Sequence, residues 1–191
     1  MDWFPDYNII LASKSPRRQQ LLHSIGIDFE VKTKEVEEVF PAGMSSEEVP
    51  VYLAKLKAVA FKNDLKENDL LITADTVVCL SNEILGKPAD YNEAFAMIRM
   101  LSGKEHEVIT GVCLTSKLKS KTFFSSTHVQ FKTLSSEEID YYIQNFKPYD
   151  KAGAYGIQEW IGSIGITHIE GSFYNVMGLP VQKLYEEILK F

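Results

Sequence analysis

Residues 13–18 read S-K-S-P-R-R, between a short apolar run (Ile9, Ile10, Leu11) and a helix-forming segment. Ser15 fits a helix N-cap and Pro16 the first helical position, so Arg17 and Arg18 fall in the first turn. The helix dipole is positive at that end and favours acidic side chains, so two arginines there oppose it. With backbone N–H groups and the hydroxyls of Ser13 and Ser15 they make a binding place for an anion, phosphate foremost.

Asp75 is the sharpest single position. It stands in LLITADTVVCL, where nearly every neighbour is apolar. A lone ionised carboxylate in such a strand is costly unless it is paired, hydrogen-bonded or bound to a metal. Either the strand ends near Ala74 and Asp75 caps a turn, or Asp75 is a general base or a Mg²⁺ ligand, since hard cations take oxygen ligands and accompany phosphate substrates. Lys57 follows Leu53 by one helical turn at the margin of an apolar stripe, whereas Lys55 points away into solvent. Lys57 either snorkels outward or reaches into a cleft toward phosphate. Lys87, in a tight G-K-P turn, is either a solvated turn lysine or a cation brought near Asp75 by a hairpin. Glu38, in KEVEEVF, reads as part of a solvated charged edge. Residues 149–158, Y-D-K-A-G-A-Y-G-I-Q, have the composition of a binding loop. Glycines allow close approach, tyrosines can stack on a base, and Gln158 offers a donor and an acceptor to a base edge. The alternative is a glycine-rich connection packed by its own aromatics. The four histidines form no metal-ligand spacing and receive no role.

These residues need elements to position them. A strand at Ile9–Leu11 leads into a helix at Pro16–Ser24 that Gly26 stops. Residues 29–34 alternate like a strand, and 40–44, with Pro41 and Gly43, form a turn. A helix at 46–62 carries the stripe Val49, Leu53, Leu56 and Ala60. Residues 70–80 suit a central strand covered on both faces. A short return strand at 83–85 and a turn at 86–88 follow, and Asp90 caps a helix to about Leu101. Residues 108–115 and 122–133 pair as a hairpin, and Ser135 with Glu138 forms a capping box for a helix to about Phe146. Residues 147–163 read as irregular, and an amphipathic helix at 179–191 closes the chain. Interleaved helices and strands with one hairpin imply an α/β fold with a mixed sheet, and no linker divides it.

The 191 residues suffice for one sizeable core, with room for two lobes. A net charge of −6 argues against general affinity for nucleic acid or acidic membranes, so an anionic ligand needs a local cluster of cations. Cys79 and Cys113 lie in apolar runs and read as reduced, buried thiols. The N-terminal MDWFPDYNII lacks a basic n-region, and no stretch is long and apolar enough to span a bilayer, from which a cytoplasmic location is expected.

Taken together, LASKSPRRQQLL, LAKLKA, ITADTVV, GKP, YDKAGAYGIQ and IEGSFYNVMGLPV resemble, in family order over essentially the whole chain, the Maf family of nucleoside triphosphate pyrophosphatases. The YGIQ form resembles the branch that hydrolyses dTTP and UTP. The resemblance implies that Ser13, Arg17 and Arg18 hold phosphates, that Asp75 accepts a proton, and that Thr76, Arg17 and Gln158 set substrate choice. Glu38, Lys57 and Lys87 would fill the remaining acidic and basic positions, with Asp75 and Glu38 on a Mg²⁺ or Mn²⁺ ion. It implies one domain over residues 1–191, an elongated mixed α/β structure with two lobes around a cleft, similar to inosine triphosphatases, and a homodimer. Where the family often has glycine after YGIQ, Glu159 and Trp160 stand here and would reshape the nucleobase pocket. Two rival functions are a nucleotide-binding regulator of cell division and a phosphoryl-transfer enzyme. The second lacks a G-x-x-x-x-G-K-[ST] loop.

Overall fold

A computed structural model describes residues 4–191; Met1, Asp2 and Trp3, the start of the segment read for a leader, lie outside the described residues. Seven strands form one mixed sheet in the order β2-β1-β3-β5-β6-β7, with β4 paired to β3. Strand β1 (Asn8–Leu11) runs parallel to β2 (Glu30–Val31) on one side and to β3 (Asp69–Leu80) on the other. β4 (Glu83–Leu85) returns antiparallel along β3. β5 (Glu105–Thr115) and β6 (Ser120–Phe131) are neighbours, joined by a turn in which the Ser116 N–H donates to the Lys119 carbonyl. β7 (Ile166–Glu170) lies antiparallel to β6. The fold is therefore the expected α/β class.

The chain forms two compact units. The first comprises residues 1–75, 110–125 and 178–191, the second 76–109 and 126–177. β3 is central and covered on both faces: all its residues but Thr76 are buried. It runs unbroken past Asp75, so the side chains of Asp75 and Thr76 point to opposite faces of the strand. This corrects the reading in which the strand ends near Ala74.

In the first unit, helix α1 (Pro16–Ser24) begins as expected, with the Ser15 hydroxyl accepting the Arg18 N–H and no acid in the first turn. Helix α2 (Glu48–Val59) is shorter than its sequence pattern, and its buried face runs through Val49, Pro50, Leu53, Ala54 and Ala58. Leu56 and Ala60, expected in the stripe, are only half-buried. The two alanines let α2 approach the sheet closely, and Ala54 and Ala58 pack with Ile10, Phe61, Leu65, Leu71 and Cys113. β2 has shrunk to two exposed residues because its pairing ends with that of Leu11. Helix α7 (Val181–Leu189) closes the unit and is shorter than expected at both ends.

In the second unit, α3 (Tyr91–Leu101) is capped by Asp90 and packs on α4 (Ser136–Phe146), whose Ser135/Glu138 capping box forms in full. Within the span read as irregular lie a 3-10 turn at Ala152–Ala154 and the start of α5 (Trp160–Gly165). Helix α6 (Phe173–Met177) and β7 were not foreseen at all. Tyr142, Phe131, Leu101 and Leu134 fill the core. His106 bonds the Tyr155 hydroxyl at 2.7 Å, and burial pushes its imidazole down to about 4, so it is a neutral core residue. Both cysteines are buried outside any disulfide. No described helix is long and apolar enough to cross a membrane.

Gly111 of β5 fixes the height of α2. A Cβ there would overlap the backbone of Pro50 and Val51, atoms that cannot rotate away. Gly111→Ala should therefore lower the unfolding free energy by roughly 3 kcal/mol in urea denaturation. An unchanged midpoint would mean that α2 does not rest on this strand.

Candidate active site

The first unit collects charge around Asp75. Beyond Leu11, β1 leaves the sheet: the Ala12 N–H still donates to the Ile72 carbonyl, and the chain then turns into α1. Carbonyls alternate along a strand, so that of Ala74 faces the same side and loses its strand partner. Arg18 takes the vacated place. Its Nη1 donates to the Ala74 carbonyl at 2.9 Å and its Nε to the Gly178 carbonyl at 2.8 Å. Burial lowers the pKa of this guanidinium, and the Asp75 carboxylate works in the opposite sense, with smaller effects from Arg17 and Glu38. These four residues thus share one electrostatic neighbourhood. Ser13, buried, shapes the preceding turn: its hydroxyl accepts the Ser15 N–H at 3.2 Å.

Asp75 obtains its partner from α2. Lys57 Nζ lies 2.5 Å from Asp75 Oδ1 and 2.8 Å from Glu38 Oε1. The Lys57 and Asp75 side chains are 16% and 11% exposed, so this is a largely desolvated pair, with Glu38 at the solvent edge. Lys57 therefore neither snorkels outward nor stands idle at the stripe margin. Glu38 is likewise more than a solvated edge: it and Asp75 converge on one ammonium. Two cations, Arg18 and Lys57, thus neighbour two carboxylates, with Arg17 acting on Arg18, in a chain that is acidic as a whole.

The second unit holds the other expected residues. Thr76 is half-buried and opens this unit on β3. Exposed Lys87 sits in the connection after β4, where the Gly86 carbonyl accepts the Gly153 N–H at 3.0 Å. That bond ties the G-K-P segment to the loop carrying Gln158, whose side chain is exposed. The same loop contains a charge cluster that the sequence reading missed. Lys151, only 8% exposed, lies 2.7 Å from Asp150 and 3.1 Å from Glu159. The signal was present: a lysine among Gly, Ala and Tyr residues is as costly when buried as Asp75 is in its strand.

Chemically, the cations around Asp75 can neutralise a polyanion, and the two carboxylates supply hard oxygen donors and a proton acceptor. Residues 8–191 match the family of Maf-like proteins. A relative from Flavobacterium psychrophilum named dTTP/UTP pyrophosphatase is 56% identical over 97% of this chain and 95% of its own. One of the same name from Porphyromonas gingivalis is 52% identical over 100% of this chain and 98% of its own. The chain belongs to the Maf family. Among solved structures, the Staphylococcus aureus Ham1 protein aligns with 65% of this chain and 71% of its own, at 16% identity and a TM-score of 0.47.

Lys57→Met keeps the aliphatic bulk and removes the charge that Asp75 and Glu38 share. It should cost about 2 kcal/mol of stability in chemical denaturation, and adding Asp75→Asn should restore part of it. Strict additivity of the two changes would show that the pair is not coupled.

Proposed function

We infer that this chain hydrolyses dTTP and UTP between the α- and β-phosphates, giving the nucleoside monophosphate and pyrophosphate, and so cleanses the nucleotide pool. The observation that carries this reading is the Lys57 ammonium held between Asp75 and Glu38 beside the arginines of α1. The names of relatives that match over nearly the full chain supply the substrate. Arg17, Arg18 and Ser13 hold the phosphates, and Lys57 and Lys87 neutralise the charge that grows on the leaving pyrophosphate. Asp75 orients a water molecule and takes its proton as the water oxygen bonds to the α-phosphorus. The bond from that phosphorus to the bridging oxygen breaks, and pyrophosphate departs with the electron pair. Arg17 and Gln158 select the base, and Thr76, on the opposite face of β3 from Asp75, takes no part in the step at Asp75. Residues 1–191 work as one domain, and the enzyme acts as a cytoplasmic homodimer, as the family resemblance implies.

The donor set fits a divalent cation that arrives with its substrate. Among the described residues no three His, Cys, Asp or Glu side chains group as a cage. Mg²⁺ commonly takes one or two carboxylates and completes its shell with phosphate oxygens and water. Asp75 and Glu38 would hold Mg²⁺ or Mn²⁺, which when bound supplies Lewis-acid polarisation of the phosphoryl group.

The test is a panel of ribo- and deoxyribonucleoside triphosphates with Mg²⁺ or Mn²⁺, scored for pyrophosphate. UTP and dTTP should lead. Asp75→Asn, whose amide oxygen still accepts from Lys57, should reduce turnover by about 10³-fold with little change in melting temperature. Preference for 7-methyl-GTP, or near-normal turnover by the variant, would refute the reading.

A further inference from the structure

The Glu159 carboxylate is bonded through both oxygens. Oε1 lies 3.1 Å from the ammonium of buried Lys151, and Oε2 accepts the Tyr142 hydroxyl. Burial, with Glu159 beside it, pushes the Tyr142 phenol far above its usual range, so Tyr142 remains a donor. The same hydroxyl accepts the Gly156 N–H at 3.0 Å, and the Glu159 N–H donates to the Gly156 carbonyl at 3.0 Å. Gly156 is thus held at its N–H by the Tyr142 hydroxyl that Glu159 accepts from, and at its carbonyl by the Glu159 N–H.

Gly156 shows how close this packing is. A Cβ on it would lie 2.8 Å from Glu159 Cδ, 2.9 Å from Oε2 and 3.1 Å from Gln158 Nε2. The carboxylate and the amide thus flank the same side of Gly156, and the amide arm on that side is the nitrogen. A negative charge there attracts the N–H arm of the amide, which leaves the oxygen arm directed away from it. The choice matters chemically. Uracil and thymine present an N3–H donor where cytosine presents a bare N3 acceptor, and a freely turning glutamine amide could satisfy either.

We propose that Glu159 is a positioning residue for base selection: its charge, anchored by Lys151 and Tyr142, holds the Gln158 amide with its oxygen toward the base, favouring uracil and thymine over cytosine. The assignment rests on the reading that Gln158 contacts the base. Glu159→Gln keeps the shape and the bond from Tyr142 but removes the charge.

The experiment compares kcat and KM for UTP and CTP in the parent enzyme, Glu159→Gln, Gln158→Ala and the double variant, with melting temperatures alongside. The parent should prefer UTP. Glu159→Gln should narrow that preference about tenfold, through KM for UTP rather than kcat, and should add nothing in the Gln158→Ala background. A preference within about twofold of the parent in Glu159→Gln, while Gln158→Ala loses it, would overturn the role of Glu159 and leave that of Gln158 standing. An unchanged preference in Gln158→Ala would overturn both. Should Glu159→Gln fail to fold, Tyr142→Phe cuts the same brace and is judged by the same ratio.

Discussion

An ionised carboxylate in the middle of a buried strand dictates much of the first unit. Asp75 cannot be left alone among Ala74, Val77 and Val78, and water does not reach it freely. Its partner comes from Lys57 on α2, and that ammonium is shared with Glu38 from the loop before the helix. Each of these residues is held by something more ordinary. The close seat of α2 comes from Ala54, Ala58 and the bare backbone at Gly111. Arg18 stands at the end of β1 because Ala74 has lost its strand partner there. The cationic group is thus assembled from the edges of regular elements, at positions where the sheet's own hydrogen bonding runs out.

This arrangement also accounts for how an acidic chain can receive a polyanion. Attraction at long range is not required if several cations meet at one point with low exposure, where each is worth more than on the surface. The carboxylates do not cancel the site. They keep Lys57 in place and, on the proposed reading, would supply oxygen donors to a substrate-borne cation.

Much of the framework was legible because its signals are local. Ser15-Pro16, Asp90 and the Ser135/Glu138 pair each satisfy orphan N–H groups at a helix start, and all three helices begin where those residues stand. β3 was legible from an apolar run too long for one-sided burial. What failed was non-local. β7 has a mostly exposed edge pattern, with little alternation to find, and the α2 stripe was misplaced because which flank of a helix is buried depends on its sheet. At the site, Asp75 announced itself by its cost. Glu38 did not, since its partner lies on α2 and nothing nearby distinguishes it from Glu35 or Glu37. The two carbonyls that hold Arg18 are equally invisible in a string of letters.

The central claim is that the Lys57-bridged carboxylates and the α1 arginines form one place for a metal-bound triphosphate. A crystal of the protein with Mn²⁺ and α,β-imido-UTP, examined by anomalous scattering, tests it most directly. The Mn²⁺ peak should lie on the Asp75 and Glu38 carboxylates, with the phosphates against Arg17, Arg18 and Lys57. Mn²⁺ and nucleotide bound elsewhere, with the Lys57–Asp75 pair untouched, would contradict it.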